Sequence, residues 1–158
     1  MLDLFAATWT SPEHYELRPD AKRFENWENN YAGRLGLGAA ADYALAIGMH
    51  PIWQRINALA TRLRSGLADI GSVQSRDIGA ERCGIVTFTV GDLPSAAVKD
   101  ELAARGINVS VSGPSSTLID AMRRDLPPIV RASVHYYNSE EEVDTLLNVL
   151  SDIAPKEG

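Results

Sequence analysis

The 158-residue sequence holds a single cysteine, Cys83, and only three histidines, His14, His50 and His135, none of them clustered. One thiol cannot close an intramolecular disulfide, and the histidine spacing fits no zinc pattern, so neither a disulfide framework nor a metal centre is expected. No apolar run approaches the length that spans a bilayer, which excludes a membrane span from the reading. Basic charge is also scarce: 15 Lys and Arg against 21 Asp and Glu give a formal charge of -6, and the basic residues are scattered. Nucleic-acid affinity rests on clustered cations neutralising phosphates, so a polyanionic partner is not expected. The opening Met1-Leu2-Asp3-Leu4-Phe5 has neither a basic region nor a long apolar segment, so it does not read as a secretory signal, and cytoplasm is the expected compartment. Internal repeats, low-complexity tracts and coiled-coil heptads are missing as well.

What remains is an ordinary globular composition, 45% hydrophobic and 23% charged. A chain of this length can bury roughly two-thirds of its unfolded surface in one domain. Residues 1–30 contain Pro12, Pro19, three asparagines and two tryptophans without a sustained period, which predicts an irregular arm. Two helices follow, an alanine-rich one from about Tyr31 to Ile47, ended by Gly48, and a second opened by Pro51. Ile52, Ile56, Leu59, Leu63, Leu67 and Ile70 repeat along one face of the second, so the pair is expected to form a hairpin.

From Gly84 the period changes to two. Val86, Phe88 and Val90 alternate with Thr87 and Thr89, and Ile107, Val109 and Val111 alternate with Asn108, Ser110 and Ser112, giving two half-buried strands with a helix between them that Gly106 stops. A Gly-Pro-Ser-Ser-Thr loop, residues 113–117, and a short helical piece near 118–124 lead to the last strand. There Val130, Ala132, Val134 and Tyr136 share one face, and Arg131, Ser133 and His135 the other, so Arg131 points away from the core. Ser139 and Glu142 form an S-x-x-E capping box, with Asn138 a second candidate cap. Val143, Leu146, Leu147, Leu150 and Ile153 supply the buried stripe of the helix that follows. The order predicts an α/β two-layer sandwich of the α+β type: a small mixed or antiparallel sheet, helices on one face, the other face polar. The expected segments are an arm over 1–30, a domain over 31–153 and a tail over 154–158.

These residues resemble the C-terminal small domain of class V, fold-type I pyridoxal-phosphate enzymes, the aminotransferase and cysteine-desulfurase superfamily. The resemblance runs over about residues 20–153. It is carried by Arg23-Phe24-Glu25, Asn30, the helix start Gly33-Arg34-Leu35-Gly36-Leu37-Gly38-Ala39-Ala40, and the pair Val130-Arg131-Ala132-Ser133 and Tyr137-Asn138-Ser139-Glu140-Glu141. In that family the arginine of the last strand holds the α-carboxylate of an amino-acid substrate, and Arg131 is the matching position. A guanidinium fork bonds a carboxylate bidentately and keeps its charge at any working pH. The other reading of Arg131 is an exposed arginine paired with a surface acid.

The resemblance also implies pyridoxal phosphate as cofactor, a lysine that forms a Schiff base with it, and a large domain that supplies both that lysine and the grip on the phosphate. This chain has only Lys22, Lys99 and Lys156, none in a matching context, so no catalytic residue is assigned and the chain alone is expected to be incomplete. A missing large domain or partner subunit and a homo-oligomer are the partners implied. Relatives of the desulfurase branch carry a nucleophilic cysteine in the loop before the arginine strand, where this chain has Gly113-Pro114-Ser115-Ser116. Cys83 lies elsewhere and reads as a small core residue. Many relatives carry a Gly-Thr pair that reaches a neighbouring subunit's cofactor phosphate, but Trp27 and Glu28 stand there. Asn29 and Asn30 are then the residues of this segment with a donor for the cofactor, a surface loop and a dimer edge being the other two readings. Gly33 to Gly38 superficially match a phosphate-cradling loop, yet no strand precedes them, and close helix packing explains them better. The alternative function for the whole chain is a non-catalytic oligomerisation or protein-interaction module.

Overall fold

In the computed structural model, which describes residues 6–25 and 29–155, the chain divides into two units, Met1–Ala46 and Ile47–Gly158. The first opens on a ribbon where an irregular arm is expected: β1 (Ala7–Ser11) and β2 (His14–Leu17) pair antiparallel, with a register shift between Trp9 and Ser11. Thr8, Trp9, Thr10 and Tyr15 are good strand formers, and Pro12 falls in the turn between the strands, where its fixed φ helps rather than hinders. Trp9 lies opposite Tyr15, their rings edge-on at 5.9 Å. A single 3-10 turn, Ala21–Phe24, follows. The helix α1 (Tyr31–Ile47) starts where the Asn30 side chain accepts the Gly33 amide at 2.8 Å. It buries none of its residues, and Leu35, Leu37, Tyr43 and Leu45 are all more than half exposed.

The second unit is the α/β sandwich. Gly48, at φ +99°, separates α1 from α2 (Met49–Ala68), a conformation open to glycine at little cost. The remaining elements are β3 (Val73–Ser75), β4 (Ile85–Val90), α3 (Ser95–Ala104), β5 (Ser110–Ser112), α4 (Leu118–Arg124), β6 (Ile129–Ser133) and α5 (Glu140–Ile153). The four strands form an antiparallel sheet in the order β3-β4-β6-β5. The core lies on one face, where Val86, Phe88, Val90, Val130 and Ala132 meet Leu59, Leu63 and Leu67 of α2, Val98 and Leu102 of α3, and Leu146 and Leu150 of α5. Removing this apolar surface from water is the main favourable term, roughly 25 cal/mol per Å².

Close packing and a part-buried ion pair help fix α2 to its neighbours. A Cβ on Gly66 would fall 2.3 Å from Leu147 Cδ1, so α5 approaches closely only because that position has no side chain. Arg64, with its side chain 9% exposed, donates to Asp77 Oδ2 at 2.7 Å and to the carbonyls of Cys83 and Ile85 at 2.9 and 3.1 Å. Cys83 is thereby corrected from core residue to exposed loop residue: its carbonyl is held inward and its thiol is left outside.

At α5 the capping box is complete: the Glu142 amide donates to Ser139 Oγ at 3.1 Å, and the Ser139 amide to Glu142 Oε2 at 3.0 Å. Asn138 does not cap. Its side chain accepts the His135 amide at 2.8 Å and donates to Glu142 Oε2 at 3.0 Å, joining the end of β6 to the start of α5.

Candidate functional site

The face of the sheet opposite the core carries the residues of the other parity, and antiparallel register puts directly opposed residues on one face. Arg131 is opposed by Thr87 on β4 and by Ser110 on β5. Ile85 faces Ser133, and Ile129 faces Ser112, one step to either side. The ring around Arg131 is therefore made of hydroxyls and two isoleucines, with no carboxylate in it. Arg131 is exposed, and its guanidinium makes no ion pair or hydrogen bond among the described residues. Its backbone carbonyl accepts from Ser110 Oγ at 3.4 Å.

Other arginines of this unit behave differently. Arg55 and Arg62 pair with Glu140 and Asp144 across α2 and α5, and Arg124 pairs with Asp120. The Asp144 carboxyl lies below its ordinary value because Arg62 donates two hydrogen bonds to it, and Glu142 is lowered first by the Asn138 side chain and then by the Ser139 amide. Arg131 has no such acid beside it among the described residues, and a guanidinium so placed is free to bond a carboxylate bidentately.

The residues singled out alongside it are not brought to the same place. Asn29 and Asn30 belong to the first unit, where Asn30 Oδ1 is committed to the Gly33 amide and its amide nitrogen keeps its donors. Gly33, Gly36 and Gly38 lie inside α1, so no phosphate loop is formed there. Trp27, Glu28 and Lys156 lie outside the described residues. The 113–117 segment tightens into a 3-10 turn, Pro114–Thr117, and carries hydroxyls only. His135 stacks on Tyr137 at 4.7 Å, beyond the end of β6. A cavity of about 380 Å³ opens instead on the helix side of β6, between Ile107, Val109, Val134 and Leu146.

The described residues do not fit a covalently held pyridoxal phosphate. Lys22 is exposed in the 3-10 turn of the first unit, and Lys99 is exposed on α3, whose buried side is Ser95, Val98 and Leu102. Neither is desolvated in an apolar pocket, as a lysine activated by burial is. One further arginine, Arg76, shares the Arg131 face and was not found from the sequence. It follows a three-residue strand too short to show a period, and only the register of β3 on β4 reveals it.

Residues 6–146 match the aminotransferase class-V family. A cysteine desulfurase of Yersinia pestis strain Pestoides F is 32% identical over 133 residues, which cover 83% of this chain and 32% of that protein. Among solved structures, the apo cysteine desulfurase of Thermococcus onnurineus NA1 superposes with a TM-score of 0.77 at 30% identity, covering 95% of this chain and 38% of that one. The cystine C-S lyase C-DES, solved with its reaction product cysteine persulfide, gives 0.69 at 25% identity, over 98% of this chain and 38% of its own. The chain thus spans about a third of the length of the relatives it matches.

Proposed function

Because the chain belongs to the class-V aminotransferase family, whose cofactor is pyridoxal phosphate, we propose that it is the substrate-gripping small domain of such an enzyme. Its contribution is Arg131, which takes the α-carboxylate of an amino-acid substrate. The observation that carries this reading is an unpaired guanidinium at the middle of a sheet face without carboxylates. The cofactor supplies the electron sink for amino-acid chemistry, and a lysine of a separate large domain or partner subunit, not one of Lys22, Lys99 and Lys156, would hold it. This chain binds and orients: the guanidinium fixes the carboxylate, while the hydroxyls of Thr87 and Ser110 flank it without competing charge.

Sulfur transfer by a thiol of the 113–117 loop is not part of the proposal, since that loop has Ser115 and Ser116, and Cys83 lies in the segment before β4. No helix among the described residues is long and apolar enough to cross a membrane.

Titration of the chain with an amino acid, followed by NMR, tests the role of Arg131. Charge-assisted hydrogen bonds are worth about 1.5–3 kcal/mol, so Arg131→Ala is expected to weaken binding by roughly 10- to 100-fold. Unchanged affinity would end the carboxylate assignment. Borohydride reduction with pyridoxal phosphate should leave no stoichiometric adduct on Lys22 or Lys99.

The second reading, an association module, is favoured by one observation: α1 buries nothing and exposes Leu35, Leu37, Tyr43 and Leu45. Apolar surface of this extent is ordinarily covered, by the rest of the enzyme or by a second copy. Sedimentation should show concentration-dependent self-association, and a clean monomer at high concentration would count against it.

A further inference from the structure

Arg76 is a second cation on the Arg131 face, and no acid among the described residues answers it. Its amide donates to the Thr87 carbonyl at 2.7 Å, extending the β3–β4 register by one residue. Arg76, Thr87, Arg131 and Ser110 therefore form one row across four strands. With neighbouring strands ~4.8 Å apart, the two arginine Cα atoms stand about 10 Å apart. Arg76 Nε donates to Thr89 Oγ1 at 3.1 Å, which holds the guanidinium over this face, and Thr89 beneath it is only 8% exposed.

The nearby acids are engaged elsewhere. Asp77 is turned to Arg64 and Ser75, and Asp120 to Arg124, which itself donates to the Arg76 carbonyl. Arg76 is half-buried, with a neutral hydroxyl as its side-chain partner and no ion pair among the described residues. A guanidinium partly removed from water without a counter-charge is unfavourable unless something supplies one.

We infer that Arg76 and Arg131 together form a receptor for an amino acid with two anionic groups, the α-carboxylate held by Arg131 and a side-chain carboxylate or phosphate by Arg76. The inference rests on the carboxylate role of Arg131 proposed above. Thr87, between the two cations, offers a hydroxyl to either anion. A substrate with an uncharged side chain leaves Arg76 without a counter-charge, and the preference follows from that difference.

The test is an NMR titration of the full 158-residue chain with L-alanine, L-aspartate and O-phospho-L-serine at one ionic strength. L-aspartate or O-phospho-L-serine should bind at least about tenfold more tightly than L-alanine, as one added charge-assisted contact implies. The tighter of the two names the side-chain anion. Arg76→Gln should bring the ratio to alanine close to one, and Arg76→Lys should keep part of it. Should Arg76→Gln fail to fold, Thr89→Val removes the hydroxyl that holds the guanidinium, and the same ratio should fall severalfold. Equal affinities for all three ligands, or a ratio that survives in these variants, would overturn the inference while leaving the Arg131 role standing. Alanine binding untouched by Arg131→Gln would overturn the parent reading, and binding of no ligand would overturn both.

Discussion

The two faces of the β3-β4-β6-β5 sheet are written by alternate residues of the same strands, yet they obey different rules. On β4, Val86 and Phe88 are fully buried beneath α2, α3 and α5, while Ile85 and Thr87 between them face outward. On β6, Val130 is fully buried and its neighbour Arg131 is exposed. The inner face is close-packed, so its side chains are fixed by shape and volume. The outer face carries hydroxyls, two isoleucines and two arginines without ion pairs among the described residues, an arrangement that adds little to stability and suits the carboxylate role proposed for Arg131. The difference separates the residues that hold the domain together from those left free for the proposed role.

The contrast can be broken most forcefully from the inside. Phe88→Ala should destabilise the domain by about 3–5 kcal/mol, as deletions of large buried side chains do, and urea unfolding would read it as a lowered midpoint. A loss below ~1 kcal/mol would mean that the inner face is not the core.

Next comes the clamp at the edge of the sheet. Burial tends to raise the Asp77 carboxyl, but hydrogen bonds from Arg64 and Ser75 and the charge of Arg64 outweigh it, leaving the group below its ordinary value. A carboxyl with a depressed folded pKa stabilises above its unfolded value, near 3.9, and loses that contribution as pH falls through the folded value. Asp77→Asn should therefore cost about 1–3 kcal/mol near neutrality, and the gap to the parent chain should narrow as pH is lowered below ~4. Urea midpoints measured from pH 7 to 3 check both the size and the sign.

Ser139→Ala removes the side-chain half of the α5 capping box and should cost about 1 kcal/mol, read by thermal unfolding. At the bottom of the scale, Arg131→Gln should change stability by less than ~0.5 kcal/mol, as surface substitutions do, although it is expected to weaken ligand binding by roughly tenfold or more. A large destabilisation by Arg131→Gln would erase the distinction between the two faces.

Much of the inner face was legible in the sequence. The stripe of α2, the alternation of β4 and β6, the stop at Gly106 and the Ser139–Glu142 box all depend on local periodicity or local hydrogen bonds, and each is found in the structure. Short elements were not legible. Val73–Ser75 has three residues, too few to show a period of two, and its pairing with β4 is a long-range fact. The 7–17 ribbon was hidden by Pro12, which reads as a breaker until its place in the turn is seen. Arg131 was found because the family resemblance and the strand period coincide on it. Arg76 has neither signal, and Cys83 showed that a lone small apolar residue before a strand says little about burial.

Arg64 binds Asp77, the residue next to Arg76, and also the carbonyl of Ile85, which lies on the same face as Arg131. Through that single side chain, a helix on the far side of the sheet is mechanically geared to the spacing of the cations in front. On the proposed reading, selection for altered ligand preference has a handle there, and directed evolution that samples only the outer face would overlook one of its tuning screws.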